Sequence, residues 1–253
     1  MQLSEMLGRA VGVLAAPVAF TTAAFRRARP FHPHGVVHRA EIVPHGRVPL
    51  EFRTIAARLS GPALVRLSSA FFALERGERP DLLGVGIAIG GDAPPQDLLF
   101  ASARSLFTLL PALLTTDVHD FLDNDYFAMS PFAIDGLGRV RMRLRARAPS
   151  PHHPKADDRD VRVADAAASG RAAFDLEVKP GGRRGEWTPL CTVVLHEQVE
   201  VPEDSLELSP FHDGRGVRPV GFVNGVRRVT YDASQRGRRF ARRTKGGPEA
   251  EVE

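Results

Sequence analysis

Residues Gly138–Ala148 read GRVRMRLRARA and alternate without a break: Val140, Met142, Leu144 and Ala146 point one way, and Arg139, Arg141, Arg143, Arg145 and Arg147 the other. Successive side chains of an extended chain leave on opposite faces. This stretch is therefore a half-buried strand with an apolar inner face and an arginine-lined outer one. Outward from it, Val36–Val43, Ala63–Phe72 and Leu82–Ile89 are rich in β-branched and aromatic residues and are bounded by glycine and proline. They read as strands, as do Ala172–Val178 and Leu190–Val201. Ser102–Thr116 (SARSLFTLLPALLTT) has helical length, with Pro111 as a kink or break. Ser150–Arg171, rich in Pro, His, Asp and Arg, reads as a connector. Strands joined mostly by hairpin-length connections, with helices at the ends, predict an α+β fold: an antiparallel β-barrel with peripheral helices. No internal repeat is present.

The chain has 253 residues, enough for one large core. We expect a helical arm over residues 1–28, one barrel domain over 29–240 and a polar tail over 241–253. Basic residues number 34 against 30 acidic ones, and Lys155, Lys179 and Lys245 are the only lysines. The excess is arginine, and the basic runs at 139–147 and 227–243 lack interleaved aromatics, so a nucleic-acid partner is not expected. Cys191 is the one cysteine. An internal disulfide and a multi-cysteine metal site are excluded, and a reducing cytoplasm fits. Residues 10–25 (AVGVLAAPVAFTTAAF) carry no charge. They are short for a bilayer span, Pro17 interrupts them, and arginines follow the run instead of preceding it. The expectation is an arm packed on the body or on a second subunit of a homo-oligomer, without a membrane partner.

The chemistry concentrates near the C-terminus. In Arg227-Arg228-Val229-Thr230-Tyr231-Asp232-Ala233-Ser234-Gln235-Arg236-Gly237-Arg238, the residues Arg227, Tyr231, Ser234 and Arg238 fall at i, i+4, i+7 and i+11. On a helix they form one polar stripe. A guanidinium one turn from a phenol favours the phenolate, and tyrosinate is one of the few axial ligands of haem iron. A solvated basic helix is the plainer reading of the same residues.

The order of motifs from about Arg29 to Arg239 resembles the catalase superfamily, in particular its short bacterial catalase-like proteins. Arg29-Pro30-Phe31-His32-Pro33-His34-Gly35 is similar to the distal segment of catalases, and Val65-Arg66-Leu67-Ser68 to their Val-Arg-Phe-Ser strand. Arg79-Pro80-Asp81-Leu82-Leu83-Gly84-Val85 and Asn124-Asp125-Tyr126-Phe127-Ala128-Met129-Ser130-Pro131-Phe132 look like later family segments. Arg227, Tyr231 and Arg238 fall on the proximal pattern Arg-x-x-x-Tyr-x-Asp-Ser-Gln. The resemblance implies haem b, with Tyr231 as iron ligand and Arg227 lowering its pKa. It makes His32 the distal histidine held by Ser68, and brings Arg29, Arg66 and Arg238 to the haem carboxylates. It implies a peroxidase acting on hydrogen peroxide or organic hydroperoxides with a small-molecule reductant.

Two departures limit this. Where catalases have Asp-Leu-Val-Gly-Asn-Asn, this chain has Asp97-Leu98-Leu99-Phe100-Ala101-Ser102, so Ala101 replaces the distal amide and Ser102 offers the only nearby hydroxyl. Ala233 stands where aspartate is usual. Losing the amide donor is expected to cost roughly 2–4 kcal/mol of transition-state stabilisation, which implies a slow peroxidase. Two rivals stay open. One is a haem-free catalase-like scaffold that binds an apolar ligand or a protein. The other is a metal site using His32, His34, His38 and Glu41, in the manner of a cupin. Asp120, Asp123 and Asp125 read as a solvated turn, and Trp187 and Cys191 as strand packing.

Overall fold

The computed structural model describes residues 35–70, 80–105, 108–148, 158–181, 185–201, 206, 208–209 and 211–226. Contacts divide the chain into His34–Pro219 and a second unit of Met1–Pro33 with Val220–Glu253. The first unit carries ten strands: β1 (Gly35–Pro44), β2 (Gly61–Ser69), β3 (Leu83–Ile89), β4 (Gln96–Ala101), β5 (Asp125–Phe127), β6 (Phe132–Ile134), β7 (Gly138–Ala146), β8 (Ala173–Pro180), β9 (Thr188–Val199) and β10 (Val217–Pro219). Its helices are α1 (Arg53–Leu59), α2 (Leu109–Thr115) and α3 (Arg159–Ala168).

Every pairing is antiparallel. The sheet runs β10-β6-β7-β5-β4-β3-β2-β1-β9-β8, and β8 pairs back with β7, so eight strands close a barrel while β6 and β10 extend from β7. Period-two alternation builds its inside. Ala40 and Ile42 of β1, Val65 and Leu67 of β2, Val85 and Ile87 of β3, Leu98 and Phe100 of β4, Tyr126 of β5, Met142 and Leu144 of β7, Leu176 and Val178 of β8, and Val193 and Leu195 of β9 are all buried in one cluster. An eight-stranded barrel is just wide enough for side chains to fill, so a large planar ligand has to bind elsewhere. Helix α1 adds Ile55, Ala56 and Leu59 to this core, and α3 adds Val163, Ala166 and Ala167. The thiol of Cys191 lies 3.6 Å from the Ala56 carbonyl, and burial pushes its pKa up to about 12.

The alternating arginine strand is as expected: Val140, Met142 and Leu144 are buried, while Arg139, Arg141 and Arg145 are exposed. Two expectations need correction. The connector Ser150–Arg171 contains α3, whose Asp158 cap accepts the amide of Asp160, which satisfies one of the open donors at a helix start. Among the described residues of Ser102–Thr116 the α-helix covers only Leu109–Thr115, and before it Thr108 bonds back to Ser105 through its hydroxyl and its amide. Pro111 falls in the first turn of α2, where its missing amide proton costs no helical bond. The acidic run at 117–125 is a capped turn, in which Asp120 accepts the Leu122 amide and the Asn124 amide reaches the carbonyls of Asp117 and Asp120.

The seam between β1 and β9 holds a polar exception. A bulge shifts the register between His38 and Ala40, and His38 Nδ1 donates to the His196 carbonyl at 2.9 Å. The imidazole is fully buried, and its Nε2 has no partner among the described residues. Burial lowers its pKa against the opposing pull of the His196 carbonyl and Glu197.

Candidate functional site

The outer face of the barrel differs sharply from one side to the other. Register places Gly35, Ser68, Gly84, Ala101 and Phe127 side by side on β1, β2, β3, β4 and β5. From Gly35 to Ala101 this row spans three strand spacings, about 14 Å, with nothing larger than a serine. Gly35 cannot be replaced without movement, because an added Cβ would meet the Leu67 carbonyl oxygen and come within 2.8 Å of Ser68 Cβ. Gly84 is buried although it faces outward. One step along, Val37, Arg66, Gly86 and Leu99 form the next row, and the Leu208 side chain occupies the space a Cβ on Gly86 would take. The floor therefore carries only small residues from Gly35 to Ala101, and Leu208 lies over the adjoining row.

The segment around Leu208 is held by polar groups that sequence reasoning missed. Asp97, buried on the outer face of β4, accepts the Ser209 amide at 2.7 Å and His212 Nδ1 at 2.8 Å. Burial raises its pKa, opposed by the Ser209 amide and then by His212. Gln96, fully buried, donates to the carbonyls of His212 and Val217 and accepts the Arg215 amide. The Arg215 guanidinium donates to the carbonyls of Arg58, Ser60, Gly90 and Pro94. It thereby ties this strap to the end of α1 and to the β3–β4 hairpin. A lone arginine between Gly214 and Gly216 carries no sequence signal of such a role, since its acceptors are main-chain oxygens far apart in the chain.

Of the residues the sequence singled out, Ser68 and Arg66 lie two apart on β2 and share the outer face with Gly35 and Val37. Ser68 is 5% exposed, and Arg66 is half-buried. Arg29, His32, Arg227, Tyr231 and Arg238 lie outside the described residues. Residues 222–226, directly before Arg227, are helical. Ala101 sits on the floor as expected, but Ser102 is committed elsewhere. Its Oγ accepts the Leu83 amide at 3.1 Å and lies 2.9 Å from Thr116 Oγ1. Thr116 is itself 2.7 Å from the Ala112 carbonyl, so its single proton has two acceptors and the pair is internally satisfied. Ser102 thus ties β4 to β3 and α2.

The metal reading loses two of its ligands. His38 faces the barrel interior beside Val65, while Glu41 is on the opposite, exposed face of the same strand. Among the described residues no group of three or more His, Cys, Asp or Glu side chains gathers for a metal.

The solved structure of a bacterial catalase superposes on this chain with a TM-score of 0.61 at 14% identity, covering 92% of this chain and 63% of that one. The barrel is catalase-like in fold. No family model matches the sequence, and no curated protein matches it. At this identity the likeness concerns the fold alone, and this chain spans less than two thirds of that catalase's length. The second half of the catalase-like barrel looks quite different from the floor. Arg143 on β7 is paired with Glu177 and with Asp125 at 3.6 Å and stacks 4.5 Å over Trp187. Trp187 in turn faces Phe127 at 6.4 Å, whose ring is covered by Arg104 at 5.1 Å.

Proposed function

We propose that this chain is a cytoplasmic haem protein that works as a slow peroxidase, with haem b against the bare outer face of β1–β4. The observation that carries the reading is the row Gly35–Ser68–Gly84–Ala101, four small residues side by side in a catalase-like barrel. The residues fit a large planar ligand there. Glycine and alanine project no bulk from the row, Ser68 carries a hydroxyl, and Arg66 on the adjoining row carries a guanidinium of the kind that pairs with a carboxylate. They do not fit rapid turnover, because Ala101 has no amide and the Ser102 hydroxyl is bound to Leu83 and Thr116.

Bound haem supplies an iron at which a peroxide O–O bond can be cleaved heterolytically. The chain's own residues do the rest. Tyr231 would hold the iron, with Arg227 favouring its ionised form, and Arg29, Arg66 and Arg238 would bind the haem carboxylates, as the resemblance implies. On the same resemblance Ser68 would orient the His32 ring, which would take the peroxide's proton and return it as the O–O bond breaks. Without an amide beside that ring, the transition state loses about 2–4 kcal/mol of stabilisation. The partners are a hydrogen or organic peroxide and a small-molecule reductant, and the N-terminal arm joins two copies.

The absorbance spectrum tests this reading. The purified protein is expected to show a Soret band that Tyr231→Phe removes or shifts, and an unchanged band in that variant overturns the ligand assignment. The second reading is a haem-free scaffold that binds an apolar ligand or a protein, favoured by Ala101 and the occupied Ser102 hydroxyl. A colourless protein without a Soret band after haem titration establishes it.

A further inference from the structure

Helix α2 is apolar except for Thr115 at its end, yet only one side is covered. Leu109, Ala112 and Leu113 pack on Ala70, Leu82 and Ala103 at one end of the barrel. The other side presents Leu110 and Leu114, which are 77% and 82% exposed, together with the exposed Pro111 and Thr115. A helix that is hydrophobic all round belongs in a core or in lipid. These two leucines, one turn apart, are the most exposed large apolar side chains among the described residues.

We propose that α2 lays this outer face on a membrane surface, inserting Leu110 and Leu114 among lipid acyl chains. The choice of lipid over a second copy follows from area and charge. A specific dimer needs about 800 Å² from each partner, contributed by some 20–30 residues. Four residues of a two-turn helix fall far short of that. A bilayer demands no complementary shape, since binding grows with the apolar area inserted. No residue of α2 itself carries a charge, the nearest described ones being Arg104 and Asp117, so the helix does not call for a charged partner. With seven residues, α2 is about 10 Å long, a third of a bilayer's hydrocarbon thickness. It adsorbs and cannot span, which agrees with no helix among the described residues being long and apolar enough to cross a membrane. Contact of this size is weak and reversible. The inference does not depend on haem.

The test is co-sedimentation of the full chain with sucrose-loaded vesicles of phosphatidylcholine alone and with added phosphatidylglycerol. Wild type is expected to partition onto both, and L110S/L114S to lose at least tenfold in partition coefficient with an unchanged unfolding midpoint. A second measurement uses Thr115→Cys carrying an environment-sensitive dye. Cys191 stays unlabelled because its thiol is buried, with a pKa of about 12. Dye emission is expected to shift to the blue on vesicles. The proposal is overturned if wild type binds neither vesicle, if the double variant binds as wild type does, or if the dye does not respond. A concentration-dependent dimer that disappears in L110S/L114S also overturns it, and assigns the face to a second copy.

Discussion

The two halves of the barrel obey the same alternation and reach opposite surfaces. On β1–β4 the outward positions in the central row are Gly35, Ser68, Gly84 and Ala101. On the continuation of that row through β5, β7 and β8 they are Phe127, Arg143 and Glu177. The inner faces of both halves are alike, because closing a barrel demands apolar side chains of similar bulk all the way round. The outer faces have no such constraint. One half carries only small residues in this row. The other is covered by stacked rings and paired charges that complete themselves within the chain.

The comparison can be broken at several places. The largest effect is expected at Arg215, which anchors the strap closing the bare half. Arg215→Met leaves the carbonyls of Arg58, Ser60, Gly90 and Pro94 without their donor, and a urea titration is expected to show a loss of about 3–4 kcal/mol. Next comes Gly35→Val, whose side chain collides with Leu67 and Ser68. We expect about 2–3 kcal/mol of destabilisation in thermal melts and loss of any bound haem. Arg141→Val on the exposed arginine face is expected to stay within about 0.5 kcal/mol. Equal responses of the two variants would erase the distinction between the halves.

Arg143→Ala probes the self-contained half. It removes the pairs with Glu177 and Asp125 and the stack on Trp187. The expected cost is about 1–2 kcal/mol, since the arginine and Glu177 are largely buried, together with a changed Trp187 emission maximum.

A pH-dependent effect lies at the seam where the halves meet. The folded pKa of His38 is below its ordinary 6.5. Its contribution to stability is therefore complete above pH 6.5 and is lost as pH falls from there toward the lowered value, because the unfolded chain binds the proton first. The slope is at most one proton, about 1.4 kcal/mol per pH unit. His38→Gln is expected to flatten that limb in denaturation curves measured between pH 5 and 7, and an unaltered slope would show that His38 is not the titrating group.

Much of the fold was legible because its signal is local. The alternation of Val140, Met142 and Leu144 with arginines, and the β-branched runs of β1, β2 and β3, declare their faces within a few residues. Helix α3 was hidden by the composition around it, although Val163, Ala166 and Ala167 stand at helical spacing and Asp158 caps the first turn. Ser68 and Arg66 could be picked out as candidates by their resemblance to a known strand motif. Asp97 with His212, and Gln96 with Arg215, could not. Each pair joins positions more than a hundred residues apart, and neither member is unusual in its own neighbourhood.

By itself, the order of apolar and polar residues determined that this protein is an antiparallel barrel, because side-chain direction along a strand follows from covalent geometry. Only the tertiary structure decided which outward positions become a bare floor and which a charged wall. That depends on register, and register is set by hydrogen bonds between strands distant in the chain. The same holds for Leu110 and Leu114. Their hydrophobicity is written in the chain, but their exposure exists only because the barrel end beneath α2 has room for one side of that helix.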